Sequence, residues 1–462
     1  MMAWYTIRNT QYAIRNTEPM TTQTETAPPA AAPGLAGNLN TSLIAGIVVG
    51  FLLRLGGGAA GALLVFYLNR VVSGTGKIDP AVIAWLTVAY FASEFLLAPI
   101  FGSWSDTIGR KPFLLVGPII AALAVQIHPL TTILAVIFFG RVLEGLATSA
   151  TTPGTLGFLS DVTAGSPALR GRVMGLYELG SLLGIVLGPF LGGRLWDAFG
   201  RDGLRLVSVF HVLAALLVFL FIRESRPVPA AAAAPDTGTG VARTHTPGWG
   251  ERLRAYRGLL ALPALWRFAP AWIAINGVVG LWFSHASGVL SRATADPTQL
   301  LSGGFNGAQF SNIFLAFGVA FMVGIAFWSN LYGRLRKTDL MIWAVGGTFA
   351  VCVVLFAINM RLLGPTGGWW LLPFLFAAIF VESGFTPVAL AYLADITEGR
   401  VQDRGTVMGL YSVFLALGNV IGAGLGAPLI HLFGFNGLLI GTAVLGAVAG
   451  AAVLNLRRST GD

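Results

Sequence analysis

The sequence predicts an all-α integral membrane protein, with twelve transmembrane helices in two six-helix bundles related by a parallel repeat. Three observations predict it. Hydrophobic residues make up 55% of the 462 residues and charged residues only 11%, where a soluble domain carries about 25% charged. Apolar stretches of the ~20 residues needed to cross a bilayer recur along the chain, and mean hydropathy is +0.75. Residues 170–177 read RGRVMGLY and residues 404–411 read RGTVMGLY, and in the same register Asp161 answers Asp395. A unit repeated over half the chain exceeds the roughly 20–50 residues of a solenoid repeat. It suits two similar membrane halves in the same order.

Residues 1–40 are expected to be a disordered tail, rich in Thr, Ala and Pro beyond Met20. TIRNT at residues 6–10 is echoed by AIRNT at 13–17. No apolar core follows, so this is not a signal peptide, and Met20 stands beside Met1 as a start. The first bundle occupies 41–223, with spans predicted at 42–69, 81–104, 113–128, 131–158, 172–195 and 204–222. Residues 224–263 form a linker on the same side as the tail. Its last part, from Trp249 to Leu262, places Arg252, Arg254 and Arg257 among aromatic and leucine residues. That pattern fits an interfacial helix or a solvated basic loop. The second bundle occupies 264–457, with spans at 268–290, 308–331, 339–359, 369–393, 405–430 and 434–456. Residues 458–462 are a short tail.

The net charge of +9 reads as topology. Most of the 29 Lys and Arg fall on the side of the N-terminal tail, and an even number of spans returns the C-terminus there. Positive charge stays inside, so both termini are expected in the cytoplasm, with the chain in the cell membrane as a monomer. The expected partners are the lipid bilayer and a small molecule, not nucleic acid. The single cysteine, Cys352, lies in an apolar span, and no Cys/His cluster occurs. No metal site or cofactor is expected. No P-loop or hydrolytic triad is present, which argues against an enzyme or an ATP-driven pump.

Three strings carry further information. The second span ends in GSWSDTIGRKP, with Gly102, Asp106, Gly109, Arg110 and Lys111. Its glycines permit a tight turn and its charges sit at the membrane interface. A weaker copy carries Gly333, Arg334, Arg336 and Lys337, with Asn330 where the first has Asp106. The fourth span carries Arg141, Glu144 and Gly145. An arginine deep in a bilayer is costly and usually functional, although an i, i+3 pair with Glu144 would neutralise it. The repeat places Leu375 at the Arg141 position. The fifth span reads GIVLGPFLGG, with Gly184, Gly188, Pro189, Gly192 and Gly193. Small residues let helices touch and proline bends them. The second half keeps small residues here but has no proline.

These strings resemble the major facilitator superfamily. The first resembles its signature between the second and third helices, and the second its R-x-x-x-G motif in the fourth. The third resembles the fifth-helix motif of its proton-coupled antiporters. The resemblance covers nearly the whole chain and implies two bundles rocking about a central site. It implies that Arg110 pairs with Asp161, that Arg334 pairs with Asp395, and that Asp106 faces the N-terminus of the eleventh span. These contacts are expected to hold an outward-facing state.

The remaining intramembrane ionisable residues are Arg54, Glu94, Glu178, Glu382, His211 and His285. Glu94 is the first candidate for proton coupling, because a buried carboxylate can cycle a proton. A static bridge to Arg54 is the competing reading. Glu178 suits a gate or a coupling role, and Glu382 is the acidic candidate of the second half. His211 is expected to be a packing residue and His285 to line a cavity. The leading reading is proton-coupled efflux of small amphipathic, drug-like or cationic compounds. The alternatives are a carrier of an anionic metabolite using Arg54 and Arg141, and a transport-dead sensor or assembly partner.

Overall fold

A computed structural model describes residues 33–163, 166–225, 262–329, 331, 335–364, 367–396 and 404–460. The chain divides into a short unit, Met1–Asn40, and a compact unit, Thr41–Asp462. The compact unit is helical, and among the described residues twelve segments are long and apolar enough to cross a membrane. The first bundle contains α1 (Pro33–Tyr67), α2 (Pro80–Ile108), α3 (Arg110–Ile127), α4 (Leu134–Val162), α5 (Pro167–Phe199) and α6 (Asp202–Phe221). The second contains α7 (Pro263–Leu290), α8 (Gly307–Ser329), α9 (Lys337–Asn359), α10 (Leu372–Glu382), α11 (Phe385–Ile396), α12 (Arg404–Phe433) and α13 (Phe435–Thr460). With an even number of spans, both ends of the unit lie on one face, called here the terminal face. The opposite face is the distal face.

Local sequence sets the helix ends. Asp79 caps α2 by accepting the Ala81 amide at 2.9 Å, and Pro80 takes the first helical position, where its missing N–H costs nothing. Ser166 and Pro167 do the same for α5. Between α2 and α3 the chain reverses at Gly109, whose φ of 119° favours glycine. The tenth span was expected to be continuous over 369–393. It is instead two helices, α10 and α11, interrupted at Ser383 and Gly384. The reason is a tertiary contact. Trp328 from α8 donates its indole N–H to the Phe380 carbonyl at 2.7 Å, and Ser383 Oγ donates to the same oxygen at 2.7 Å. A Cβ on Gly384 would press on the Trp328 ring. The expected interfacial helix at 249–262 lies almost wholly outside the described residues.

Each bundle has its own apolar core. Leu63, Leu64, Leu204 and Val207 belong to one cluster of the first bundle, and Phe268, Trp272, Met341 and Val388 to the main cluster of the second. A further cluster crosses between them: Ala62 and Phe66 of α1 pack with Leu281, Val289 and Phe310. Phe66 stacks on Trp196 at 5.7 Å and meets Phe310 edge-on at 5.4 Å.

The fifth-span string divides its work by position. Gly184, Gly188 and Gly192 lie against the α1 backbone, and a Cβ on Gly188 would sit 2.8 Å from the Gly58 Cα. Gly193 faces the other bundle, at Gly307 of α8. Helix α5 runs unbroken through Pro189. In a bilayer, where lipid tails are as apolar as leucine, such close contacts supply much of the association. Replacing Gly188 by Val is therefore expected to lower the thermal stability of the purified protein by about 1–3 kcal/mol. Gly175→Ala, where nothing lies within 4 Å, should leave it unchanged. Equal melting of both variants would show that the α1–α5 contact is not tight.

Candidate transport and gating sites

At the terminal face the residues around the α2–α3 turn form a bonded cluster. Arg110 is buried, at 6% exposure. Its Nε donates to Asp161 Oδ2 at 3.2 Å and its Nη1 to Ser105 Oγ at 2.7 Å. The guanidinium lies over Gly157, where a methyl group would overlap it. Gly102 supplies the carbonyl that takes the Ser105 hydroxyl at 2.8 Å. Sequence reasoning missed Glu224. Its carboxylate accepts the backbone amides of Arg110 (2.8 Å) and Lys111 (3.0 Å), so it caps the positive end of α3. Ser225 donates to Asp161 Oδ2 at 3.3 Å. Lys111 Nζ donates to the Phe219 carbonyl at 3.0 Å. The chain leaving α6 thus clips onto the turn. A local capping rule would not find Glu224, because the contact joins residues more than a hundred positions apart.

The Arg110–Asp161 pair lies inside the first bundle, between α3 and α4. It shapes the turn but does not itself tie one bundle to the other. The side chains of Asp106 and Asp395, and Gly333 and Arg334 altogether, lie outside the described residues.

Deeper in the first bundle is a second polar group. Glu144, 6% exposed, uses both oxygens. Oε2 accepts from Arg141 Nη1, and Oε1 from His128 Nε2 at 2.6 Å. His128 is fully buried, and a methyl group at Gly140 would overlap its ring. This histidine, in the short turn His128–Leu130 after α3, was not singled out from sequence. Arg141 stands 4.7 Å over the Tyr90 ring, and the Tyr90 hydroxyl bonds Thr148 Oγ1 at 2.8 Å. Arg141 is seven residues into α4, or about 10 Å from its distal end.

Arg54 of α1 stands in the electric field of Glu94 on α2, Glu178 on α5, Tyr90 and Tyr177. Among the described residues no ion pair within 4.0 Å joins it to either carboxylate. A static Arg54–Glu94 bridge is therefore not made. Gly184 is what lets α5 approach Arg54, since a Cβ there would lie 2.9 Å from the Arg54 Cβ. Glu382 ends α10 at the break and accepts from Thr348 Oγ1 at 3.5 Å. His211 packs on Gly56. His285 is 1% exposed, bonds the Ala423 carbonyl at 2.8 Å between α7 and α12, and lines a small cavity with Ile78, Ile83, Val289 and Arg292.

At the distal face the bundles are joined. Asn69, in the π-helical turn Leu68–Val72, donates to the Gly288 carbonyl (2.9 Å) and Ser291 Oγ (2.8 Å) of the second bundle, and accepts the Ile78 amide at 2.8 Å. Arg70 Nε donates to the Ser291 carbonyl at 3.1 Å. The Ala293 amide donates to Gly76 at 2.9 Å. Nothing in the repeat or the three strings marked these residues.

Two predictions rest on this geometry. Glu144→Ala strands Arg141 in the bundle and is expected to destabilise by about 3–5 kcal/mol. Asp202→Ala, which breaks the exposed pair with Arg205, should cost less than about 1 kcal/mol; thermal unfolding in nanodiscs separates the two. Exchanging charges, Arg110→Asp with Asp161→Arg, is expected to recover only part of the transport lost in each single variant. Ser105 and the Gly157 notch still fit an arginine at 110. Full transport in both single variants would remove the pair from the mechanism.

The arrangement agrees with comparisons to known proteins. The family profile described as Major Facilitator Superfamily matches residues 29–305 and again 281–461. The class H tetracycline resistance protein of Pasteurella multocida is 31% identical over 190 residues, 41% of this chain and 46% of that protein. This chain thus spans just under half of that relative's length. Multidrug resistance protein 2 of Bacillus subtilis (strain 168) is 21% identical over 358 residues, 77% of this chain and 81% of that protein. The crystal structure of nucleoside transporter NupG shares the fold with a TM-score of 0.67 at 13% identity, over 91% of this chain and 98% of that one. With both halves matched and twelve spans in two bundles, the chain belongs to the Major Facilitator Superfamily.

Proposed function

We propose that this transporter is a proton-coupled exporter of small amphipathic or cationic molecules, placed in the cell membrane with both ends in the cytoplasm. The observation that carries the reading is Glu94. It lies at the middle of α2, on the inner side of the first bundle, within the field of Arg54 and without a direct ion pair among the described residues. A carboxylate in such a place is costly when charged and unbridged, so gaining and losing a proton is its natural chemistry. Arg54 supplies the counter-charge when Glu94 is ionised and is released when Glu94 is protonated. A change in that balance alters the electrostatics of α1 and α2 where they face α7 and α12. Arg141 and Glu144 are satisfied by each other, His128 and Tyr90, which supports a supporting role for them. Tetracycline and multidrug resistance relatives favour export over uptake.

One observation favours a second reading. Among the described residues Arg54 has no bridging carboxylate, so it is chemically able to receive an anionic group of a cargo. Everted vesicles with an imposed pH gradient distinguish the two, given a panel of organic cations and anions. Glu94→Gln is expected to abolish gradient-driven movement of cations while leaving their binding within about twofold. Unchanged gradient-driven transport would remove Glu94 from coupling, and movement of anions alone would favour the Arg54 reading.

A further inference from the structure

Helix α8 starts at the distal face, and any α-helix leaves its first amides without intrahelical acceptors. The sequence provides for half of them locally. Asn306 Oδ1 accepts the Gln309 amide at 2.8 Å and Gln309 Oε1 accepts the Asn306 amide at 3.1 Å, a reciprocal capping box. The amides of Gly307 and Ala308 go elsewhere. They donate to Asp197 Oδ1 at 2.8 Å and Oδ2 at 2.6 Å. Asp197 belongs to α5, in the other bundle.

Three features separate this contact from ordinary packing. Asp197 lies in the last turn of α5, which ends at Phe199. A negative charge there opposes the dipole of its own helix and favours only the dipole of α8. Its position is therefore accounted for by the partner bundle and not by α5. The approach is also shaped to receive it: Gly307 and Gly193 meet backbone to backbone, and a Cβ on Gly307 would overlap both the Gly193 carbonyl and the Asp197 carboxylate. Lastly, Asp197 supplies the carboxylate among the α5–α8 hydrogen bonds, where Arg194 Nη2 donates to Asn312 Oδ1 at 2.8 Å. Ser311 Oγ donates to the Phe190 carbonyl at 2.5 Å. Hydrogen bonds to an ionised acceptor are roughly twice as strong as neutral ones.

We propose that Asp197 is the distal latch of the transporter, a positioning residue whose carboxylate on the N-terminus of α8 sets the balance between distal-closed and distal-open states. Because the contact is at the membrane surface, opening returns both the carboxylate and the two amides to water. Water then replaces the bonds that are lost and offsets most of their gross strength, which suits a latch that must release in every cycle. Asp106 occupies the last turn of α2 at the terminal face, so each face has an acid in the last turn of a first-bundle helix.

The test needs no cargo. After Cys352→Ala, spin labels at Arg201→Cys and Leu362→Cys report the distance between the bundles at the distal face in nanodiscs. Asp197→Ala is expected to raise the population of the longer distance at least threefold. Asp197→Asn should give an intermediate shift and Asp197→Glu a smaller one. Ala308→Pro removes one of the two amides at a helical position that tolerates proline. It should shift the same equilibrium, and its effect should not add to that of Asp197→Ala. Unchanged distances in folded Asp197→Ala and Asp197→Asn overturn the proposal, and so does full additivity with Ala308→Pro. Should Asp197→Ala fail to fold, Asp197→Asn and Ala308→Pro carry the same comparison.

Discussion

A bilayer offers no hydrogen-bond partner to a charge, so each charge carried into it must be answered by another part of the chain. That constraint organises the first bundle. Glu144 answers Arg141 and His128 together, and Asp161 and Ser105 answer Arg110. The glycines of α5 serve the same end, since they bring α5 close enough to α1 to enclose Arg54. Helix contact and charge placement are here one problem solved by one string of small residues. The second bundle carries fewer charges. Its deep acid, Glu382, is held by a single hydroxyl at the α10–α11 break.

The two faces of the molecule are built differently. At the terminal face the bonded cluster of Arg110, Asp161, Ser105, Glu224 and Ser225 lies within the first bundle and its outgoing chain. It stiffens the α2–α3 turn. At the distal face the bonds run between bundles, from Asn69, Arg70, Gly76 and Asp197 to the ends of α7 and α8. The proposed transport cycle requires that this second set break and re-form while the first set persists. Most of the distal bonds use backbone carbonyls and amides, which water replaces readily at a membrane surface.

The charge cluster between the faces connects them. Arg54 sits on α1, whose distal end carries Asn69 and Arg70, and its neighbours lie on α2 and α5. Helix α5 in turn ends at the Asp197 contact. In the proposed coupling, a change of charge at Glu94 or Arg54 acts on α1 and α5, which lead to the Asn69 and Asp197 contacts of the distal face. This continuity is physical, through packed helices, and involves no residue of the terminal cluster.

Composition and hydropathy alone determined twelve spans, because a bilayer imposes a length and an apolar content that any sequence must display locally. The repeated RGxVMGLY string determined two halves, and the family resemblance implied the pairing of Arg110 with Asp161. Spacing along one helix also made the Arg141–Glu144 pair legible. What the tertiary structure decided is of another kind. Glu224 on α3, His128 on Glu144, Asn69 on α7, Asp197 on α8 and Trp328 at the break of the tenth span are all contacts between residues far apart in sequence. Each depends on how a helix is rotated about its axis and how far it slides past its neighbour. A local apolar pattern leaves both free, because a membrane helix is apolar on nearly every face.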